Sequence, residues 1–315
     1  MNRLSSSTSE DSARGCLLGL AVGDAIGTTL EFRSRDTYAP LTDMIGGGPF
    51  GLAPGEWTDD TSMALCLADS PIENGNLDET DLMQRFVRWW RNGENSVTGL
   101  CFDIGFTTRA ALSEFERSGN PRAGSENPNT AGNGSLMRLA PAAIRHHANR
   151  TRAIDVARRQ SVTTHAARTV VDACTFFAGL LVDAINGADR QMLLSPQVFD
   201  GHREIAGIAG GRYIGKKRSE IASSGYVVDT LEAALWCVHY ASDFREAVLL
   251  AGNLGDDADT VAAVTGQLAG AIWGEAGIPE AWIAKLAWRD QIRDRAIRLF
   301  ALGAAAESAS PASKT

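Results

Sequence analysis

Two short acidic clusters, Thr58-Asp59-Asp60-Thr61 and Asp256-Asp257-Ala258-Asp259-Thr260, lie roughly two hundred residues apart in the chain. Each sits where a polar loop gives way to an apolar helical pattern. Carboxylates and hydroxyls without a neighbouring Cys or His make an oxygen-only ligand set, which suits hard divalent cations such as Mg²⁺ or Mn²⁺ rather than zinc. One metal site assembled from two remote segments is the chemistry this pattern predicts. Helix capping competes with it, since Thr or Asp at an N-cap and carboxylates in a first turn are favoured without any ion. A cap needs one side chain, however, and each cluster offers three or more oxygen-bearing residues. Asp24 and Glu31 add two carboxylates, and their spacing of seven places them on one face of a single predicted helix. Gathering that much negative charge without a cation is strongly unfavourable.

The elements that must position these groups read as helices, because helical spacing recurs and sustained strand alternation does not. Asp78 reads as a cap before the stripe Leu82, Phe86, Trp89; a second stripe runs Leu231, Ala234, Leu235, Val238. Asp243 and Glu246 read as a capping box. Further helices are expected near 14–30, 61–69, 106–117, 136–146, 151–160, 166–186, 260–274 and 290–305. Gly15, Gly19, Gly23 and Gly27 recur every four residues, as do Gly266, Gly270 and Gly274. Glycine costs about 1 kcal/mol against alanine inside a helix, so two such rows predict two helices packed with unusually close axes. Close packing would hold the loops at their ends in fixed relation. Candidate binding loops fall at 46–49, 119–134 and 187–225, where Gly, Asn, Pro and Ser concentrate. One domain over 12–303 is expected, with disordered tails at 1–11 and 304–315.

Composition narrows the class. At 315 residues and 44% hydrophobic, the chain can bury a sizeable core. A net charge of -8 without a basic stripe argues against nucleic-acid binding. Arg14, Asp24 and Glu31 interrupt the first apolar segment, so membrane insertion is not expected. Five scattered cysteines without a CxxC pair, and an N-terminus without secretory order, point to a reducing cytoplasm. A monomer is expected.

Four segments in order, Gly15-Cys16-Leu17-Leu18-Gly19 through Gly23-Asp24-Ala25-Ile26-Gly27 to Glu31, Trp57-Thr58-Asp59-Asp60-Thr61, Gly132-Asn133-Gly134-Ser135-Leu136-Met137-Arg138 and Gly255-Asp256-Asp257-Ala258-Asp259-Thr260, resemble the ADP-ribosylglycohydrolase family. The resemblance implies an all-α, compact, single-domain orthogonal helical bundle with a di-metal cleft that cleaves ADP-ribose from an acceptor. It implies two cations, Mg²⁺ or Mn²⁺, with Thr58, Asp59 and Asp60 matching one ligand set and Asp257, Asp259 and Thr260 the other. Glu31 matches an acidic residue that is catalytic in some members. Asp256 stands where many relatives carry Gly. Asp103-Ile104-Gly105, Thr164-His165 and Gly225-Tyr226-Val227-Val228-Asp229-Thr230 are similar to the dinitrogenase-reductase-activating branch, which removes ADP-ribose from arginine.

That resemblance makes an ADP-ribosylated protein or another ADP-ribose conjugate the expected partner. Asp103 is then a candidate for accepting the planar fork of guanidinium N–H donors. Gly132, Asn133, Gly134 and Ser135 form a loop whose small residues let backbone N–H groups turn toward phosphate or ribose oxygens, and Met137 follows in the same motif. His165 matches a nucleotide contact, and Tyr226 offers a ring or hydroxyl near the acceptor. Serine-linked or small-molecule ADP-ribose, a non-hydrolysing ADP-ribose binder, a metal-dependent phosphohydrolase and a helical interaction module remain alternatives.

Overall fold

A computed structural model describes residues 9–308, and every regular element among them is helical. Fourteen α-helices follow one another: α1 Ser9–Gly27, α2 Asp59–Asn74, α3 Glu79–Asn92, α4 Phe106–Ser118, α5 Ala140–Arg145, α6 Arg150–Val162, α7 Arg168–Ile185, α8 Arg190–Leu193, α9 Arg203–Ala209, α10 Val227–Tyr240, α11 Phe244–Gly252, α12 Ala258–Trp273, α13 Glu280–Lys285 and α14 Arg289–Ser308. Extended pairing is confined to isolated bridges such as Gly132 with Tyr226 and Ser125 with His165. Among the described residues no helix is long and apolar enough to cross a membrane.

The glycine rows explain the centre of the bundle. A Cβ on Gly15 would overlap the Gly270 carbonyl, one on Gly19 the Gly266 carbonyl, and one on Gly23 the Ala262 carbonyl. The contacts run in opposite chain directions, so α1 and α12 lie antiparallel, backbone against backbone. Consequently the C-terminal turn of α1, bearing Asp24, meets the N-terminal turn of α12, bearing Asp259. Both helices are buried along almost their whole length, and their apolar side chains belong to one continuous core. Gly274 is not part of the helical row: at φ 72° it ends α12 in a conformation open to glycine.

Several boundaries differ from the sequence expectation. The helix expected over 14–30 stops at Gly27, and a 3₁₀ turn over Thr28–Leu30 follows. Glu31 is therefore delivered by a turn and does not share a helical face with Asp24. The segment 136–139 is a run of tight turns, leaving α5 with only Ala140–Arg145, and the expected loop over 187–225 holds the short helices α8 and α9. Helix α1 already includes Ser9–Asp11, where Glu10 and Asp11 pair with Arg14. Helix α14 runs to Ser308 through the strong helix formers Ala304–Ala306. The tail boundaries drawn at 11 and 304 thus fall inside helices, and the remaining tail expectations, over 1–8 and 309–315, lie outside the described residues. Asp78 caps α3 by accepting from Thr80 N and Asp81 N. Asp243 caps α11, but Glu246 reaches back to Ser242 rather than to Asp243, one residue further than a capping box requires.

Candidate active site

The two acidic clusters meet where α1, α2 and α12 converge. Thr58 is the N-cap of α2 and Asp257 the N-cap of α12, yet neither side chain caps its own helix. Asp24 performs that task for α2 from outside. Its Oδ1 accepts from Thr58 N (2.9 Å) and Thr58 Oγ1 (2.8 Å), and its Oδ2 from Thr61 N (3.0 Å) and Thr61 Oγ1 (2.6 Å). At α12, Glu31 Oε2 accepts from Asp259 N at 3.3 Å, and Asp259 Oδ1 from Thr260 N at 2.7 Å. Capping alone therefore does not account for the clusters.

Two groups of three carboxylates can each bring ligand atoms within 4.8 Å of one another: Asp24, Asp60 and Asp259 form one, and Glu31, Asp257 and Asp259 the other. Asp259 belongs to both. The hydroxyls stand close by, with Thr58 Oγ1 3.4 Å from both Asp60 Oδ2 and Asp259 Oδ2, and Thr260 Oγ1 3.4 Å from Asp60 Oδ2. Asp60 Oδ1 is buried with no hydrogen-bond partner. Among the described residues no Lys, Arg or His forms an ion pair with any of these acids. An orphaned carboxylate oxygen inside an uncompensated, all-oxygen cluster fits a divalent cation.

Electrostatics follow from this crowding. Burial, reinforced by neighbouring carboxylates, holds Asp59 and Asp60 far above the usual range and raises Glu31 strongly. Burial raises Asp24 as well, against four hydrogen bonds that favour its charge. Asp103, Asp257 and Asp259 are each pushed up to about 7, chiefly by burial. Asp103 takes a left-handed backbone at φ 59°, uncommon for a residue with a Cβ, in the loop that leads into α4. Asp256 does the same at φ 58°, and its backbone pairs with Phe32 N and Arg33 O, both at 2.8 Å. A left-handed backbone is what a glycine supplies without strain.

Above the clusters opens a cleft of about 660 Å³. Glu31, Asp59, Asp103, Asp257, Asp259 and Thr260 line it, whereas Thr58 and Asp60 lie fully buried beneath. Gly132, Asn133, Gly134, Met137 and His165 also line it. Asn133 Nδ2 donates to Asp257 Oδ2 at 2.6 Å and to Thr230 Oγ1 at 2.9 Å, tying this loop to the acidic cluster. Met137 O accepts from Gln267 Nε2 of α12 at 2.7 Å. A side chain on Gly134 would strike the His165 ring.

Buried Arg138 fixes that ring indirectly. Its Nη2 donates to Thr164 Oγ1 at 2.9 Å, and Thr164 Oγ1 lies 2.8 Å from His165 Nδ1. That contact engages Nδ1 and turns Nε2 toward Gly132 and Gly134. Burial, aided by the Arg138 charge, lowers His165 to about 3 and keeps it neutral. Two expected binding residues are placed elsewhere. Ser135 faces the interior, its Oγ 2.8 Å from Ser161 Oγ, because the turn after Gly134 rotates it away from the cleft. Tyr226 pairs with Gly132 through the backbone; the residue is 39% exposed and outside the cleft lining. Gly225 and Ser224 occupy the wall instead, as do Phe106, Thr107 and Thr108 from the start of α4. Ser224 and Gly225 fall in the candidate binding loop over 187–225, whereas proximity to Asp103 is the only sequence signal for Phe106, Thr107 and Thr108.

The family model for ADP-ribosylglycohydrolase matches residues 5–309. ADP-ribosylarginine hydrolase Tri1 of Serratia proteamaculans is 50% identical over 294 residues, covering 93% of this chain and 80% of that protein. The protein of the same name from Pseudomonas putida is 51% identical, covering 92% and 78%. ADP-ribosyl-[dinitrogen reductase] glycohydrolase of Rhodospirillum rubrum is 32% identical, covering 88% and 90%. A solved structure described as an ADP-ribosylglycohydrolase-related protein complex superposes with a TM-score of 0.84 at 40% identity, covering 94% of this chain and 99% of its own. With the all-helical frame and the paired acidic clusters already in place, these matches establish that the chain belongs to the ADP-ribosylglycohydrolase family.

Proposed function

We propose that this enzyme is a divalent-metal-dependent hydrolase that cleaves the N-glycosidic bond between ADP-ribose and an arginine side chain of a modified protein. The observation that carries the reading is Asp259 shared between two carboxylate triads on the floor of an open cleft. Relatives at half identity are named for ADP-ribosylarginine, which supports the acceptor. Thr58, Asp59 and Asp60 on one side and Asp257, Asp259 and Thr260 on the other would hold two Mg²⁺ or Mn²⁺ ions. Bound there, the ions supply charge balance and Lewis-acid polarisation at the ribose hydroxyls.

The chain's own groups carry the remaining steps. Gly132 and Gly134 let the pyrophosphate approach the backbone closely, and the neutral His165 ring presents Nε2 beside it. Asp103 accepts the N–H fork of the guanidinium and holds the leaving nitrogen in line. Water then bonds to the anomeric carbon as the carbon–nitrogen bond breaks, and the electron pair of that bond returns to the guanidine nitrogen. Glu31, hydrogen-bonded to the Asp259 amide, accepts the proton released by the water. Developing positive charge on the ribose is stabilised by the surrounding carboxylates.

Incubation with arginine-, serine- and diphosphate-linked substrates in the presence of Mn²⁺ or Mg²⁺, followed by mass spectrometry, tests the reading. Intact ADP-ribose and unmodified arginine are expected. AMP with ribose phosphate would identify a phosphohydrolase, and retention of bound conjugate without release would identify a binder.

A further inference from the structure

The cleft has an apolar rim that the hydrolytic chemistry does not use. Phe106, the first residue of α4, is 92% exposed, Leu100 is 72% exposed and Phe32 is 66% exposed. Phe32 packs edge-on against Phe50 with ring centroids 6.2 Å apart, and Phe50 against Phe102 at 5.2 Å. These three rings make a continuous edge that ends one residue before Asp103. Phe32 and Phe106 border the cleft itself, while Leu100, Phe50 and Phe102 carry apolar surface beyond it. Exposed aromatic side chains that border a cleft are frequent anchors of interaction sites. Charge complements the apolar surface: Asp103 and Asp256 line the cleft, and no Lys or Arg does. A basic, partly apolar polypeptide suits that combination.

We propose that Phe32, Phe50, Leu100, Phe102 and Phe106 dock the polypeptide that flanks the modified arginine, so that the enzyme selects a protein acceptor over free ADP-ribosyl-arginine. The inference rests on the arginine reading above and deepens it. Asp103 would engage the guanidinium while the adjoining rim engages the residues around it.

The test compares the full-length, Mn²⁺-loaded enzyme on a folded protein mono-ADP-ribosylated on arginine and on free ADP-ribosyl-arginine. In a Phe50→Ser, Leu100→Ser double variant, whose residues lie outside the cleft lining, kcat/KM for the protein substrate is expected to fall at least ~10-fold, mainly through KM, as for loss of interface anchors. Turnover of the free conjugate should stay within about 2-fold, because neither residue is asked to contact the reacting atoms. Phe50→Leu with Leu100 retained should keep most of the wild-type kcat/KM on the protein substrate. Equal losses on both substrates would assign the rim to the nucleotide, and no loss on either would remove its role; both outcomes overturn the proposal. Wild-type enzyme that releases ADP-ribose from neither substrate would overturn the arginine reading and this inference together.

Discussion

Asp24 and Thr61 share two hydrogen bonds across a helix boundary: one carboxylate oxygen of α1 accepts from both the amide (3.0 Å) and the hydroxyl (2.6 Å) of the third residue of α2. An acid on one helix thus caps another and leaves the Asp59 and Asp60 carboxylates free for other partners. Thr61→Val keeps the amide bond and removes only the hydroxyl, at nearly constant volume. A hydrogen bond to a buried charged group contributes about 1.5–3 kcal/mol, so the melting temperature should drop by the equivalent of that loss. Partners behind metal ligands typically tune affinity by about 10–100-fold, so more Mn²⁺ should be required for half-maximal activity. Activity at saturating Mn²⁺ should stay close to wild type. An unchanged Mn²⁺ titration would show that the bond does not position the α2 terminus.

Glycine packing between α1 and α12 makes a separable stability prediction. Gly19→Ala drives a methyl into the Gly266 carbonyl, which is backbone and cannot rotate aside. Overpacking of this kind costs about 1–3 kcal/mol, and here the helices must part to relieve it. Gly252→Ala, at the end of α11, meets Ile26, Gly27 and Leu41 only at ordinary contact distances of 3.6–3.7 Å. It should be neutral or stabilise by ~0.4–1 kcal/mol, through a less flexible unfolded chain. Urea unfolding of both variants decides the matter. Similar midpoints would mean that the glycine rows are incidental to the packing.

These rows, and the acidic clusters at helix starts, were legible because each is a local pattern with a definite geometric meaning. Spacing of four marks one face of a helix wherever it occurs. The position of Glu31 was not legible in that way. Periodicity counts residues as if the helix continued, and nothing local announced that α1 would tighten into a 3₁₀ turn at Thr28. Ser135 failed for a related reason, since Gly-Asn-Gly-Ser names a turn but not which way each side chain leaves it. The cap that Asp24 provides to α2 depends on tertiary contact over thirty-four positions or more, and no sequence window of helical length contains both partners.

Metal-free protein should lose stability as pH rises. Asp103, Asp257 and Asp259 are held at about 7 in the fold, above the value of about 3.9 for an unfolded aspartate. Raised folded values mean that the native state binds more protons than the unfolded chain between about pH 4 and pH 7. Stability from these groups is therefore present at the acid end and lost as pH rises through about 7. With EDTA, the melting temperature is expected to be higher at pH 5 than at pH 8. Mn²⁺ at pH 8 should reverse the loss, because a cation that binds only the native state stabilises it. A flat EDTA profile between those pH values would show that neither burial nor crowding raises these acids in the fold.

Asp59 and Asp103 both line the cleft, yet they should fail differently when removed. Asp59 is buried and feels the charges of Asp103, Asp259 and Asp24, whereas Asp103 is half-buried in the loop before α4 and meets the cluster through a hydrogen bond with Asp259. Asp59→Ala and Asp259→Ala should each abolish turnover and also abolish the rise in melting temperature on adding Mn²⁺. Asp103→Ala should keep most of that rise while turnover of the arginine conjugate falls by about 10²–10⁴-fold, the range for a lost group that assists the reacting atoms. Asp103→Asn separates charge from shape further, since its amide fits the same space but presents N–H groups of its own to the guanidinium. Turnover by Asp103→Asn should therefore remain nearer to Asp103→Ala than to wild type. Calorimetric Mn²⁺ binding alongside product release reads both properties in one set of samples, and parallel loss of metal binding in all the variants would remove the separate role of Asp103 at the leaving group.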